Sequence, residues 1–359
     1  MKQEADVEAA LAGSLQATDA ALSLVHANRQ IEIVSGLVER FPGDHNLEQE
    51  LGVALASAAV AMDDLEDPEK TMDYFERSIR IREQFLEREP PNAVVRRNLM
   101  VAYGNYAARL GVPWSANLGR YAEARTYALK SVTLARELVA DDPQDKTARY
   151  DLGEFLGRLG AIPPVPDQVA DSLRILEEAQ SILEPIFRDD PTSWGVMAQL
   201  TLAREYAALR LQSLGRLEDS AEVFRKSLAG LEATLRADPN QPEGAIVSIM
   251  AEERLAEIYA LQGKGAAATL SAHHAVERAE KFLERRPGVV FRQGFLAESY
   301  FELAWVERTL GDWDRAAIDA ERATSIWRSI SHKGVLAVHR QSRARTESLV
   351  QEIEAHRKQ

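Results

Sequence analysis

The stretch Gly215-Arg-Leu-Glu-Asp-Ser-Ala-Glu-Val-Phe-Arg-Lys-Ser-Leu-Ala-Gly-Leu-Glu-Ala-Thr-Leu-Arg-Ala-Asp-Pro239 decides the reading of this chain. Ala221, Phe224, Leu228, Leu231 and Leu235 fall at steps of three and four, the spacing of one helical face, and Arg and Glu occupy the opposite side. A glycine opens the stretch and a proline closes it. Glycine adopts the left-handed backbone that ends a helix at little steric cost. Proline cannot continue a helix, because it lacks the N–H donor and crowds the preceding turn. The segment is therefore one helix held between two different stops.

The same punctuation recurs along the chain. Prolines stand at 42, 90, 143, 191, 239 and 287, spaced 48, 53, 48, 48 and 48 residues apart. Between them lie Gly111, Gly160, Gly215, Gly263 and Gly311, and Leu precedes four of the five. The unit is helix A, glycine turn, helix B, proline turn, which is an antiparallel helical hairpin repeated. No segment sustains an alternation of period two, so no sheet is expected.

These residues resemble tetratricopeptide repeats, whose signature places Leu-Gly-x-x-Tyr in helix A, Ala-x-x-x-Phe in helix B and a closing Pro. Leu152-Gly153 with Leu156, and Tyr103-Gly104-Asn105 running to Leu110-Gly111, match the helix A half. Ala124 to Ala128, Ser220 to Phe224, Ala268 to Ala272, Ala316 to Ala320 and Phe75 match helix B. The period of 48 exceeds the family's usual length by two insertions of seven, one in each helix. Seven residues return a helix to nearly the same face, so the core stripe survives. The second unit carries an expanded turn, Val112 to Leu118, and the third another, Ala161 to Asp167.

The resemblance implies an all-α fold, a right-handed α-solenoid of about six hairpins with capping helices. Residues 1–42 read as an N-terminal helical pair, 43–335 as six repeats, and 336–359 as a capping helix with a polar outer face. The long-helix form is also similar to modules carried C-terminal to bacterial serine/threonine protein kinases. The kinase signatures themselves, a Gly-rich loop, His-Arg-Asp and Asp-Phe-Gly, do not occur in this sequence.

Composition narrows the function. Net charge is −13 and the basic residues are scattered, which argues against nucleic-acid binding. Uncharged runs such as Leu51 to Met62 are too short to span a bilayer, so no membrane insertion is expected. With no cysteine, disulfides and thiolate chemistry are ruled out. That composition and the acidic N-terminus suit a cytoplasmic protein, and the former equally suits an exported module of a membrane-anchored protein.

Apparent chemical motifs have plainer readings. Gly263-Lys-Gly265-Ala-Ala-Ala268 spells a dinucleotide fingerprint, but that motif needs a preceding strand and this one follows a helix at the repeat turn. His273 and His274 are adjacent, so they point about 100° apart and cannot chelate together. The cluster Asp63, Asp64, Glu66, Asp67 lacks the central glycine of a calcium loop and reads as helix capping. No catalytic constellation is present in sequence, so no enzyme activity, cofactor or metal is expected.

The expected function is a protein- or peptide-binding scaffold or regulatory module. The family's groove-facing positions, carried onto this sequence, are Asn98, Asn105 and Arg109; Tyr150, Glu154 and Arg158; Glu205, Leu209 and Gln212; Glu253 and Glu257; and Phe301, Trp305 and Arg308. Some relatives clamp a partner's C-terminal carboxylate with cations. Here only Asn98 and Asn105 fit that pattern, with Gln49 and Val101 where cations would stand, so no such clamp is expected. The glutamates point instead to a neutral or basic partner segment. Two other readings stand beside this one. One is a kinase-linked region sensing a small ligand; the other is a self-associating homo-oligomeric array, and Trp114 on the long turn would be an exposed contact that serves partner binding or self-association alike.

Overall fold

The computed structural model describes residues 1–15, 19–63, 68–88, 92–113, 117–237, 242–284, 290–330 and 337–358. Pro90, Pro239, Pro287, Trp114, Asp64, Glu66 and Asp67 lie outside the described residues. Among the described residues there is no strand, and none of the helices is long and apolar enough to cross a membrane.

Two compact units make up the chain, residues 1–163 and 164–359. The first holds α1 (Lys2–Leu15), α2 (Ala20–Arg40), α3 (His45–Asp63), α4 (Pro68–Arg88), α5 (Ala93–Gly111), α6 (Tyr121–Asp141) and α7 (Lys146–Ala161). The second begins with a 3-10 turn, Pro166–Gln168. It continues through α8 (Val169–Asp189), α9 (Trp194–Ser213), α10 (Leu217–Ala237), α11 (Pro242–Leu261), α12 (Gly265–Glu284), α13 (Val290–Thr309), α14 (Trp313–Ser329) and α15 (Ala337–Arg357). Within each unit consecutive helices pack as antiparallel hairpins, the all-α solenoid class expected from the repeat.

The two stops act as their chemistry demands. The residues before the prolines leave the helical region: Phe41, Asp142 and Asp190 have φ of −127°, −141° and −137° with positive ψ. Asp142 then accepts from Gln144 N at 3.0 Å, and Asp145 caps α7 through Thr147 N and Ala148 N. Gly215, Gly263 and Gly311 have φ of +74°, +71° and +86°. Each is followed by the long backbone bond of a Schellman cap: Arg216 N to Leu211 O, Lys264 N to Tyr259 O, Asp312 N to Glu307 O.

Gly111 and Gly160 depart from this expectation. Both lie inside helices, within α5 and α7, and both are buried. At Gly111 the reason is close approach: a Cβ there would come within 2.8 Å of Tyr121 Cδ1 and 3.1 Å of Ala124 Cβ. In the expanded turn the left-handed residue is Gly119, at φ +68°.

Small side chains let paired helices close. Ala268, Ala272, Ala275 and Ala279 along α12 are fully buried, and most of them pack with Ile249, Phe282 and Phe295 in one core. Ala316, Ala320 and Ala323 do the same in α14 beside Leu349 and Ile353. A buried serine also ties helix to helix. Ser23 Oγ donates to Ala12 O, Ser78 to Gly52 O, Ser131 to Met100 O and Ser220 to Ala208 O, all at 2.7–2.9 Å. A buried hydroxyl needs an acceptor, and a helical carbonyl has a second lone pair to give.

Candidate functional site

The helix A faces carry the residues singled out by sequence. In the first unit the structure joins α5 and α7 through Arg158. Its guanidinium pairs with Glu154 on its own helix, donates to Asn105 Oδ1 at 3.2 Å, and lies 5.1 Å from the Phe155 ring centre. Tyr150 sits half-buried beside Glu154, and burial pushes its phenol up to about 12. Arg109 is half-buried, and Asn98 is exposed, its carbonyl accepting from Arg82 Nη1 at 3.3 Å.

In the second unit the glutamates converge. Arg254 on α11 bonds Glu257 Oε2 at 3.1 Å. Burial works against its charge, and Glu302, Glu257, Glu205 and Glu253 more than offset this, holding its pKa above the usual arginine range. Those carboxylates come from three A helices: Glu205 from α9, Glu253 and Glu257 from α11, Glu302 from α13. Glu205 and Glu253 are buried, at 8 % and 9 % exposure, rather than standing out as a free ladder. Burial raises both carboxyls. Arg254 opposes the shift at Glu205, while Glu298 and Glu302 add to it at Glu253. Ser299 Oγ donates to Glu253, and Arg345 of α15 pairs with Glu302 at 3.4 Å. The open part of the cluster is Glu257 and Arg254, whose side chains are 22 % and 31 % exposed.

Leu209 and Gln212 are half-buried on α9. Phe301 belongs to the core, 2 % exposed, with the Arg345 guanidinium 4.7 Å from its ring centre. Trp305 is half-buried under Arg308, which reaches Glu352 at 3.4 Å. Trp305, Arg308, Arg345 and Glu352 line a cavity of about 330 Å³ between α13 and α15.

Sequence reasoning missed Arg254, Ser299, Glu302 and Arg345. The Arg254–Glu257 spacing of three was a visible signal for an ion pair on one helix. The others are joined only by the packing of α11, α13 and α15. Among the described residues no group of three or more His, Asp or Glu is arranged to hold a metal. His273 is exposed, and His274 lies 3.5 Å from Glu252.

No family model matches the sequence, and no curated protein is detectably similar to it. Solved structures are similar in fold. RapI in its apo form superposes with a TM-score of 0.57 at 11% identity, over 99% of this chain and 85% of RapI. BtubC (BKLC) from P. vanneervenii gives 0.51 at 16% identity, over 73% of this chain and 92% of that one. A tetratricopeptide repeat protein from Parabacteroides merdae gives 0.44 at 14% identity, over 96% and 99%. The fold is of the tetratricopeptide type. In these hairpins the glycine caps and proline stops set where the helices end, and the buried alanines of helix B let them close.

Proposed function

We propose that this chain is a protein- or peptide-binding module whose helix A faces receive a neutral to basic partner segment. The observation that carries the reading is the carboxylate excess around Arg254 and Arg345, four glutamates to two arginines, with the glutamates contributed by three neighbouring A helices. A cluster with more carboxyls than guanidinium groups and a partly open edge at Glu257 favours an incoming ammonium or guanidinium, which would draw the burial-raised carboxyls back toward their charged form. Trp305, half-buried three residues after Glu302 on α13, is the aromatic anchor that interfaces commonly use. The resemblance to kinase-attached modules supports a regulatory setting for such binding.

The test uses fluorescence anisotropy with a labelled Lys/Arg-bearing amphipathic peptide and its Glu-substituted counterpart. The basic peptide is expected to bind, more weakly as salt rises. Glu205→Gln with Glu257→Gln is expected to weaken it about tenfold, the scale of one lost charged contact. Equal binding of both peptides, or unchanged binding by the variant, overturns the proposal.

A further inference from the structure

The first unit contains an arginine whose position its own fold does not explain. Arg82 projects from α4, a B helix, and is 9 % exposed. Among the described residues its hydrogen bond runs from Nη1 to the Asn98 carbonyl at 3.3 Å, and its stem lies against Gly52 on α3, where a Cβ would sit in ordinary contact, 3.6 Å from Arg82 Nε. Among the described residues no carboxylate stands within ion-pair distance of it. Arginine is almost never buried without a partner, because desolvating the charge costs several kcal/mol unless it is compensated.

Arg82 lines a cavity of about 320 Å³ formed by α1 to α5. Its other charged lining groups, Lys2 and Glu50, pair with each other at 3.2 Å and cancel. Four carboxamides face the same space, Gln30, Asn46, Gln49 and Asn98, and their side chains have no hydrogen-bond partner among the described residues. Val53, Phe85 and Val95 supply an apolar wall.

We infer that this cavity is a binding site for a small monocarboxylate ligand with an apolar portion and a hydrogen-bonding one, its carboxylate held by Arg82. Charge matching selects the class: one uncompensated cation suits a monoanion, whereas a phosphate dianion would need a second. Guanidinium and carboxylate match in a two-pronged geometry. Carboxamides both donate and accept, so they suit an amide-containing ligand, and the volume is that of a small-molecule pocket. Burial with nothing to offset it holds the Arg82 pKa down to about 10, the shift an incoming carboxylate would reverse. The inference does not rest on the peptide reading, which is carried by the second unit; Asn98, a groove-facing position of the first unit, is the residue the two share.

The experiment is isothermal titration of the full chain with a panel of N-acetyl amino acids, their carboxamides, and inorganic phosphate. At least one acid is expected to bind saturably and its carboxamide not to bind. Arg82→Met is expected to weaken the acid about 10- to 100-fold, the effect of losing a charged hydrogen-bonded contact. The variant without ligand should melt no lower than the parent, because an uncompensated buried charge has been removed. Gln49→Glu, which sets a built-in carboxylate on the cavity wall, should block the acid equally. Glu205→Gln with Glu257→Gln should leave it unchanged, which separates this site from the peptide face. Absence of binding by every acid, equal binding by acid and carboxamide, preference for phosphate, or a lowered melting point with undiminished affinity in Arg82→Met would each overturn the inference.

Discussion

Ser299 Oγ on α13 donates a hydrogen bond to Glu253 Oε1 on α11 at 2.7 Å, with both side chains buried. It is the direct bond that a buried carboxyl, crowded by Glu298 and Glu302, receives from the neighbouring A helix. Ser299→Ala removes the donor and leaves a buried acceptor unsatisfied, so it should cost about 1–3 kcal/mol. Glu253→Gln keeps an acceptor for the serine and removes repulsion, so it should be nearly neutral or stabilising. Urea denaturation of the single and double variants checks this. A Ser299→Ala midpoint equal to the parent's would show that the bond contributes nothing.

Glu302 and Glu307 predict a pH dependence. Burial raises the Glu302 carboxyl from 4.5 to about 7 against the opposing pull of Arg254 and Arg345. Burial first and Asp319 next raise Glu307 to about 8. A raised folded-state value means the native protein binds protons that the unfolded chain has released, so stability falls as pH rises. The contribution is complete below about 4.5 and is lost as pH climbs through about 7 for Glu302 and about 8 for Glu307. The melting temperature should therefore be higher at pH 6 than at pH 9. Glu302→Gln should remove part of that dependence, on the order of 2 kcal/mol at most, and should stabilise the protein at the alkaline end. A melting temperature that rises over this interval in the parent, or a slope unchanged by Glu302→Gln, contradicts the assignment.

The periodic residues told the fold directly. Pro143 and Pro191 fix their turns through backbone sterics alone, and Gly215, Gly263 and Gly311 through the left-handed cap. Such effects are local and so readable from sequence. Gly111 carried the same letters with a different cause, contact with Tyr121 and Ala124, which only packing reveals. The candidate site was legible in part. Helix periodicity put Glu205, Glu253 and Glu257 on A helices, but their burial and convergence on Arg254 depend on how closely α9, α11 and α13 approach. Phe301 shows the same limit: an aromatic at a groove-facing register position became core once α15 packed across it. Arg82 lies on a B helix, outside any groove reading, and its place on the cavity wall follows from how α3, α4 and α5 pack.

Gly104 measures the closeness of α5 and α7. A Cβ there would overlap Phe155 Cε1, at the edge of the ring, whereas one on Gly36 in α2 would meet nothing within 4 Å. Alanine normally stabilises a helix relative to glycine by about 0.5–1 kcal/mol. Gly36→Ala should therefore raise the melting temperature. Gly104→Ala should lower it, since overpacking costs about 1–3 kcal/mol. Adding Phe155→Leu to Gly104→Ala should recover part of the loss, because the ring that obstructs the methyl is gone. Additive losses in that double variant would mean the two residues do not meet.

Gly263 and Gly265 share the letters of a nucleotide loop, yet their backbones differ in kind. Gly263 has φ +71° with nothing within 4 Å of a Cβ, and it closes the Schellman cap of α11. Gly265 begins α12, and a Cβ there would meet only the end of the Leu310 side chain at 3.3 Å. Gly263→Ala should thus destabilise by about 1–2 kcal/mol from left-handed strain alone, and Gly263→Asn by less, since asparagine tolerates that region. Gly265→Ala should be close to neutral, because a flexible leucine end can give way. A phosphate-cradling loop makes the opposite demand: both glycines would be intolerant, and their loss would abolish nucleotide binding without affecting the melt. Thermal melts of the three variants, with and without NAD, separate the two. Equal destabilisation by Gly263→Ala and Gly265→Ala, or a NAD-dependent rise in the parent's melting temperature, would overturn the assignment of this stretch as a repeat turn.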